Sequence, residues 1–449
     1  MRRQRGLYAL SAVLLALLLP AFAAPQFSVE RGVFAEPFAL QITPEVDGAT
    51  VLVSVDGSVP TAAVTGPIEV SGTSIVRAME LDGDGVAGPI STHTYLFPDD
   101  IVRQPAMDPA ITQSAAYGDD VLETLASLPS ISIVSSTPLT TTRSPVSAEY
   151  IDPDGDDLQV TCAAARTGTT SLGYPKNSLR FYFNGDYGPD EVDFDFWPLD
   201  GEGPAPSRTQ EDLSLRAGHD SVFYLGAQGQ YTRNPWMDAS QLAMGHTAPH
   251  GSYAHVYENG SYIGLYYVRE RFGAAFMAAY LGGSKSDYEG VNEGTVKSGS
   301  GAAWGQIVAN RSDFAALEPW LHVEHYLDYM LLNYYAGNTW DWTAYHNWAA
   351  AGPSAPNAGG YRFYSSDSDI CLYYDYPVNA LYLPGPADIF PALMASGDPE
   401  FRVALADAIH RNLEGEGPLT PERAAARYDA LATQIEAAVT AESARWGYG

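Results

Sequence analysis

The residues of this 449-residue chain best suited to chemistry lie close together: Asp341 and Asn347, just after a helical pattern, and Asp367, after the run Tyr361-Arg362-Phe363-Tyr364. Phosphoryl transfer needs a carboxylate to orient the acceptor hydroxyl, then an amide oxygen and a second carboxylate to hold the magnesium that neutralises the phosphates. Asp341, Asn347 and Asp367 supply that set in that order. Three such residues in so short a span also arise by chance, so the pattern names a chemistry without establishing it. His346, beside Asn347, reads as a residue that packs or orients the loop, because no second histidine stands at metal-ligand spacing. His322 and His325 read as surface positions on a helix. Asp367 and Asp369 would share one face of a strand, which leaves a carbohydrate-active enzyme with two carboxylates as a distant reading.

The elements that must position these residues are legible in part. Glu324 to Ala336 carries Leu327, Leu331, Tyr334 and Tyr335 at helical spacing and stops at Gly337. Tyr253 to Glu258 and Tyr262 to Arg269 alternate as strands around Asn259-Gly260, a strong hairpin signal. Further strands are expected at Ile131-Val134, Val146-Ile151 and Leu158-Val160. The acidic loop 152–156 between the last two lacks the glycine and the terminal carboxylate of a calcium loop and reads as a turn. A last helix is expected from Thr420, as N-cap, through Pro421 to Gly447. From about residue 129 the chain is therefore α+β. Residues 26–97, with short alternating runs such as Val51-Val55 and turns such as Asp56-Gly57, form an all-β module of sandwich type. Residues 98–128 show little periodicity and read as a linker.

Arg2, Arg3 and Arg5 followed by the apolar run Leu7 to Leu19 and by Ala21-Phe22-Ala23 read as a secretory signal over residues 1–23. No later stretch is long and apolar enough for a membrane span. The formal net charge of -30 disfavours nucleic acid and anionic lipid as partners. Cys162 and Cys371 exclude a disulfide-rich scaffold and a multi-cysteine metal site, and either pair or stay apart as two buried thiols.

The segments Asn338-Thr339-Trp340-Asp341-Trp342, His346-Asn347-Trp348 and Tyr361-Arg362-Phe363-Tyr364 with Asp367 resemble the signature stretch of the spore coat protein H (CotH) family of atypical protein kinases. Pro175 to Phe183 is similar to that family's lysine-bearing strand. Leu215-Arg216-Ala217-Gly218, Glu270-Arg271, Tyr280-Leu281-Gly282-Gly283, Asp398 to Arg402 and Ala441 to Gly447 match in order. The chain departs from the pattern at Leu172, where an arginine is expected, at Asn292, where a lysine is expected, and at Ser366, which replaces an aromatic residue. One residue more separates Asp341 from Asn347 than in ordinary protein kinases.

The resemblance implies an atypical protein-kinase-like domain over 129–449 that uses ATP and Mg2+ to phosphorylate Ser or Thr of an extracytoplasmic protein. Asp341 would be the catalytic carboxylate, Asn347 and Asp367 the metal ligands, Lys176 the phosphate-binding lysine and Glu270 the acid that positions it. The alternative is a catalytically silent surface or adhesion protein that retains the fold. In the N-terminal module, Val55 to Thr61, Ile75 to Ala78 and Thr92-His93-Thr94-Tyr95 resemble the chitobiase/β-hexosaminidase C-terminal-type module, which implies a fold rather than an activity.

Overall fold

A computed structural model of the protein describes residues 24–197, 201–218, 229–339, 342–373 and 379–447. The signal segment expected at 1–23 and the catalytic candidate Asp341 lie outside the described residues.

Nine short strands fill the N-terminal module: β1 (Gln26–Phe27), β2 (Gly32–Val33), β3 (Phe38–Leu40), β4 (Ile42–Thr43), β5 (Thr50–Ser54), β6 (Ala62–Ala63), β7 (Ile68–Val70), β8 (Ser74–Leu81) and β9 (Ser91–Leu96). One sheet has the order β2-β9-β8-β5-β6, beside the pairs β1-β4 and β3-β7. Leu40, Ile42 and Val70 of the pairs share a core with Val51, Val76, Ala78 and Tyr95 of the sheet.

Residues 98–128 correct the expected linker. They form α1 (Pro98–Ile101), α2 (Pro109–Thr112) and α3 (Gly118–Ser127), and Ile101, Met107, Val121 and Leu125 are buried against Ile151, Tyr257, Tyr262, Ala441 and Ala444. α1 and α2, four residues each, carry too few turns to show a periodicity, whereas α3 sets Val121, Thr124 and Leu125 at helical spacing on one buried face. Asp99 and Asp100 in α1, and Asp119 and Asp120 in α3, sit at the positive ends of the helix dipoles.

The centre of the molecule is a closed seven-stranded barrel of order β10-β11-β12-β13-β16-β18-β17. Its strands are β10 (Ser130–Val134), β11 (Ser144–Ile151), β12 (Leu158–Thr167), β13 (Ser178–Tyr182), β16 (Asp212–Arg216), β17 (Gly251–Glu258) and β18 (Ser261–Glu270). A small pair, β14 (Val192–Asp193) and β15 (Thr209–Gln210), and the helix α4 (Arg233–Ala243) interrupt the series. Ile131 and Ile133, Leu179 and Phe181, and Leu213 and Leu215 alternate inward, as a period of two requires. Asn259 (φ 50°) and Gly260 (φ 75°) turn β17 into β18 with both residues left-handed, the geometry whose twist matches the flanking strands. The 152–156 loop is a turn, in which the Asp154 N–H donates to Asp152 Oδ1 at 3.0 Å.

A second layer follows the barrel. It comprises α5 (Ala274–Leu281), β19 (Tyr288–Asn292), β20 (Thr295–Ser298), α6 (Ala302–Ala309), α7 (Phe314–Leu317), α8 (Val323–Tyr335), β21 (Trp348–Pro353), β22 (Arg362–Ser365), α9 (Ile389–Ser396) and α10 (Pro399–Leu413). The antiparallel sheet β20-β19-β21-β22 and these helices enclose an aromatic core that includes Trp304, Tyr326, Tyr329, Trp342, Trp348 and Phe363. The single last helix expected from Thr420 is two, α11 (Pro421–Ile435) and α12 (Ala438–Trp446). Thr420 does not cap α11; its hydroxyl donates to the Gly417 carbonyl at 2.9 Å, while Pro421 keeps the first position. Cys162 and Cys371 are free and buried in separate cores. Among the described residues no helix is long and apolar enough to cross a membrane.

Candidate functional site

Asn347 and Asp367 stand at one end of the β21-β22 ladder, whose terminal pair is Trp348 with Ser365. Both have left-handed backbones, at φ 58° and 56°, a conformation that asparagine and aspartate tolerate better than other side chains. Asn347 is buried, and its N–H donates to Glu293 Oε1 at 3.0 Å. Asp367 is the more open of the two, its side chain 57% exposed. One nitrogen of the Arg216 guanidinium meets both Asp367 Oδ1 at 2.6 Å and Asp369 Oδ2 at 3.1 Å. The two carboxylates lie beyond the end of β22, not along a strand, yet they converge on one cation. The start of α4 holds this turn: Arg233 donates to the Asp369 carbonyl at 3.2 Å, and the Ser368 N–H donates to Asn234 Oδ1 at 3.1 Å.

Arg216 ends β16, where Leu215 pairs with Leu179 of β13. Lys176 lies two residues before the start of β13 and so stands at the same end of the ladder. It is buried, and its Nζ donates to the Leu265 carbonyl at 2.5 Å and to Glu442 Oε1 at 2.7 Å. The Tyr266 ring lies 4.7 Å from the ammonium. Burial lowers the amine below its ordinary value, and the charge of Glu442 opposes that shift.

Glu270, expected as the partner of Lys176, does not meet it. It stands five residues past Leu265 along β18, about 16 Å at the rise of a strand. There it accepts from Gln210 at 3.0 Å, the His250 N–H at 2.9 Å and the Tyr280 hydroxyl at 2.7 Å. It lines a cavity of about 420 Å³ with Gln210, Asp212, Arg271 and Lys285. The partner of Lys176 is Glu442 of α12, 266 positions away. The one sign of this in the sequence is a lone acid beside small residues: the buried positions of α12 are Ala438, Ala441, Glu442 and Ala444.

His325 is buried, not on the surface, and His322 caps its own helix by accepting the His325 N–H at 3.2 Å. His246 packs on His325 with ring centroids 4.5 Å apart and meets the buried Asp328 at 2.7 Å. Ligand atoms of His246, Glu324 and Asp328 lie within 4.8 Å of one another. Arg411 already neutralises that group, at 2.7 Å from Asp328 and 3.7 Å from Glu324.

Around Asp367 the Arg216 guanidinium thus joins a carboxylate pair, with the Asn347 amide across the ladder end, while the Lys176 ammonium is engaged by Glu442 and the Leu265 carbonyl. Such a set can hold a phosphorylated ligand with a hard divalent cation. Compared with known proteins, the chain matches no family model and no curated protein.

Proposed function

We propose that this chain is an exported atypical protein kinase of the CotH type, which transfers the γ-phosphate of ATP to Ser or Thr of an extracytoplasmic protein. The reading is carried by the convergence of Arg216 on Asp367 and Asp369 at the end of the barrel ladder that also bears Lys176. The donor chemistry fits the cofactor: Asn347 and Asp367 offer hard oxygen ligands for Mg2+, and Lys176 and Arg216 offer cations for phosphate oxygens. Bound Mg2+ would supply the charge that neutralises the phosphates. Asp341 would orient the acceptor hydroxyl.

A second reading, a silent scaffold, is favoured by the burial of Lys176, which is 2% exposed, and by the engagement of Asp367 with Arg216. One experiment separates the two. At a hundredfold excess over the dissociation constant a ligand stabilises by about 2.7 kcal/mol, so ATP with Mg2+ should raise the melting temperature while ATP with a chelator should not. Asp367→Ala should abolish the gain. Asp341→Ala should keep it and lose phosphate transfer, because orienting the acceptor contributes to transfer rather than to nucleotide binding. No shift in the unmodified chain would establish the scaffold reading.

A further inference from the structure

The chain contains three lysines, Lys176, Lys285 and Lys297. Lys285 and Lys297 are exposed, whereas Lys176 is sealed between β18 and α12. A buried ammonium survives only where a carboxylate and further acceptors surround it. Glu442 provides this from the C-terminal helix, and its own orientation is fixed on both oxygens. Oε1, which takes Lys176, also accepts the Tyr231 hydroxyl at 3.0 Å; Oε2 accepts the Leu265 N–H at 2.7 Å. Gly264, at φ 113°, leaves the space for this pair: a Cβ there would stand 2.5 Å from Glu442 Oε2 and 3.1 Å from Lys176 Cε.

The barrel does not hold α12 alone. The Asp108 N–H donates to the Ala444 carbonyl at 2.7 Å, and Met107, Val121 and Leu125 pack with Ala441 and Ala444. On the other side, His255 of β17 meets the Thr124 carbonyl of α3 at 3.0 Å. A continuous set of packed contacts therefore runs from residues 98–127 through α12 and Glu442 to the ammonium of Lys176.

We propose that Glu442 is the positioning residue for Lys176, and that the helical segment 98–127 sets where this ammonium stands by clamping α12. The inference rests on Lys176 as the phosphate-binding lysine. It makes the helical segment 98–127 part of the nucleotide site through α12 alone.

The test uses the full mature chain and an amine-acylating reagent, read by mass spectrometry, with Lys285 and Lys297 as internal controls. In the unmodified chain those two label and Lys176 is protected. Glu442→Gln and Val121→Ala should each raise labelling of Lys176, on the order of tenfold through local opening of α12, and leave the controls unchanged. The affinity for Mg·ATP, measured by calorimetry per folded molecule, should fall in both variants. Val121→Ala touches neither Lys176 nor Glu442, and it keeps the test open if Glu442→Gln fails to fold. Lys176 labelling unchanged in a folded Val121→Ala chain overturns the clamp. Mg·ATP affinity unchanged in both variants, with only the melting temperature lowered, reduces Glu442 to a structural ion pair and overturns the positioning role. If Lys176 labelling responds as expected but the unmodified chain binds no Mg·ATP, the kinase reading falls and the hold of Glu442 on Lys176 stands.

Discussion

Acid should loosen the joint between α3 and the barrel through one imidazole. His255 is fully buried on β17; its Nε2 lies 3.0 Å from the Thr124 carbonyl and its Nδ1 2.9 Å from the Tyr262 hydroxyl. A carbonyl only accepts, so Nε2 carries the proton and Nδ1 accepts from Tyr262. Burial, reinforced by the charge of Lys176 and opposed by the bond to Thr124, lowers its pKa from 6.5 to about 4. A histidine depressed in the folded state stabilises the fold above its unfolded pKa, and that contribution is lost as the pH falls toward the folded value. Integrated over this window, the loss is about 2 kcal/mol at pH 5 and about 3 kcal/mol once both states are protonated. Urea unfolding at pH 7 and pH 5, compared between the unmodified chain and His255→Gln, isolates the effect. Glutamine can still donate to Thr124 and accept from Tyr262 but does not titrate, and acid effects at other groups cancel in the comparison. Equal losses of stability in the two chains between these pH values would refute the argument.

Two further outcomes follow from buried contacts elsewhere. Glu149 has a fully buried side chain and accepts from Arg31 at 2.9 Å, from the Thr94 N–H at 3.0 Å and from the Thr94 hydroxyl, which joins the N-terminal module to the barrel. Glu149→Ala leaves those donors unpaired and should cost about 3–5 kcal/mol, seen as earlier melting and faster proteolytic release of the module; an unchanged melt would count against this anchor. Gly264→Ala places a Cβ against Glu442 in a left-handed backbone, so it should destabilise by at least the 1–3 kcal/mol or so of an overpacked core. Hydrogen exchange at the Leu265 N–H, which Glu442 holds, should quicken, and an amide that exchanges no faster would contradict the crowding.

Local signals fixed the elements whose causes are local. The Asn259-Gly260 turn needs two residues that accept a positive φ, and both are adjacent in sequence; α8 needs only its own apolar spacing and a glycine beyond its end, and it was read to within a residue or two. The barrel strands β10, β11, β17 and β18 were legible because a period of two marks the inward face, whereas β13 entered only through the family resemblance and β16 was not expected as a strand. What the sequence left dark depends on residues far apart in the chain. α1 and α2 are too short to show a period, and although α3 spaces Val121, Thr124 and Leu125 on one face, it is burial against Tyr257, Tyr262 and Ala441 that makes the segment part of the packed fold rather than a linker. The break between α11 and α12 at residues 436–437 carries no glycine or proline to mark it. His325 reads as a surface histidine until Thr247 and Phe363 are packed around it. The candidate site divides in the same way: residue type and order singled out Asn347 and Asp367, the family resemblance singled out Lys176, and the carboxylate that neutralises Lys176, which the resemblance implies at Glu270, is Glu442. Composition and spacing can name an acid, whereas which acid faces a buried ammonium is decided by the path of the chain, because a charge removed from water is paired by whatever the tertiary fold brings within hydrogen-bond reach.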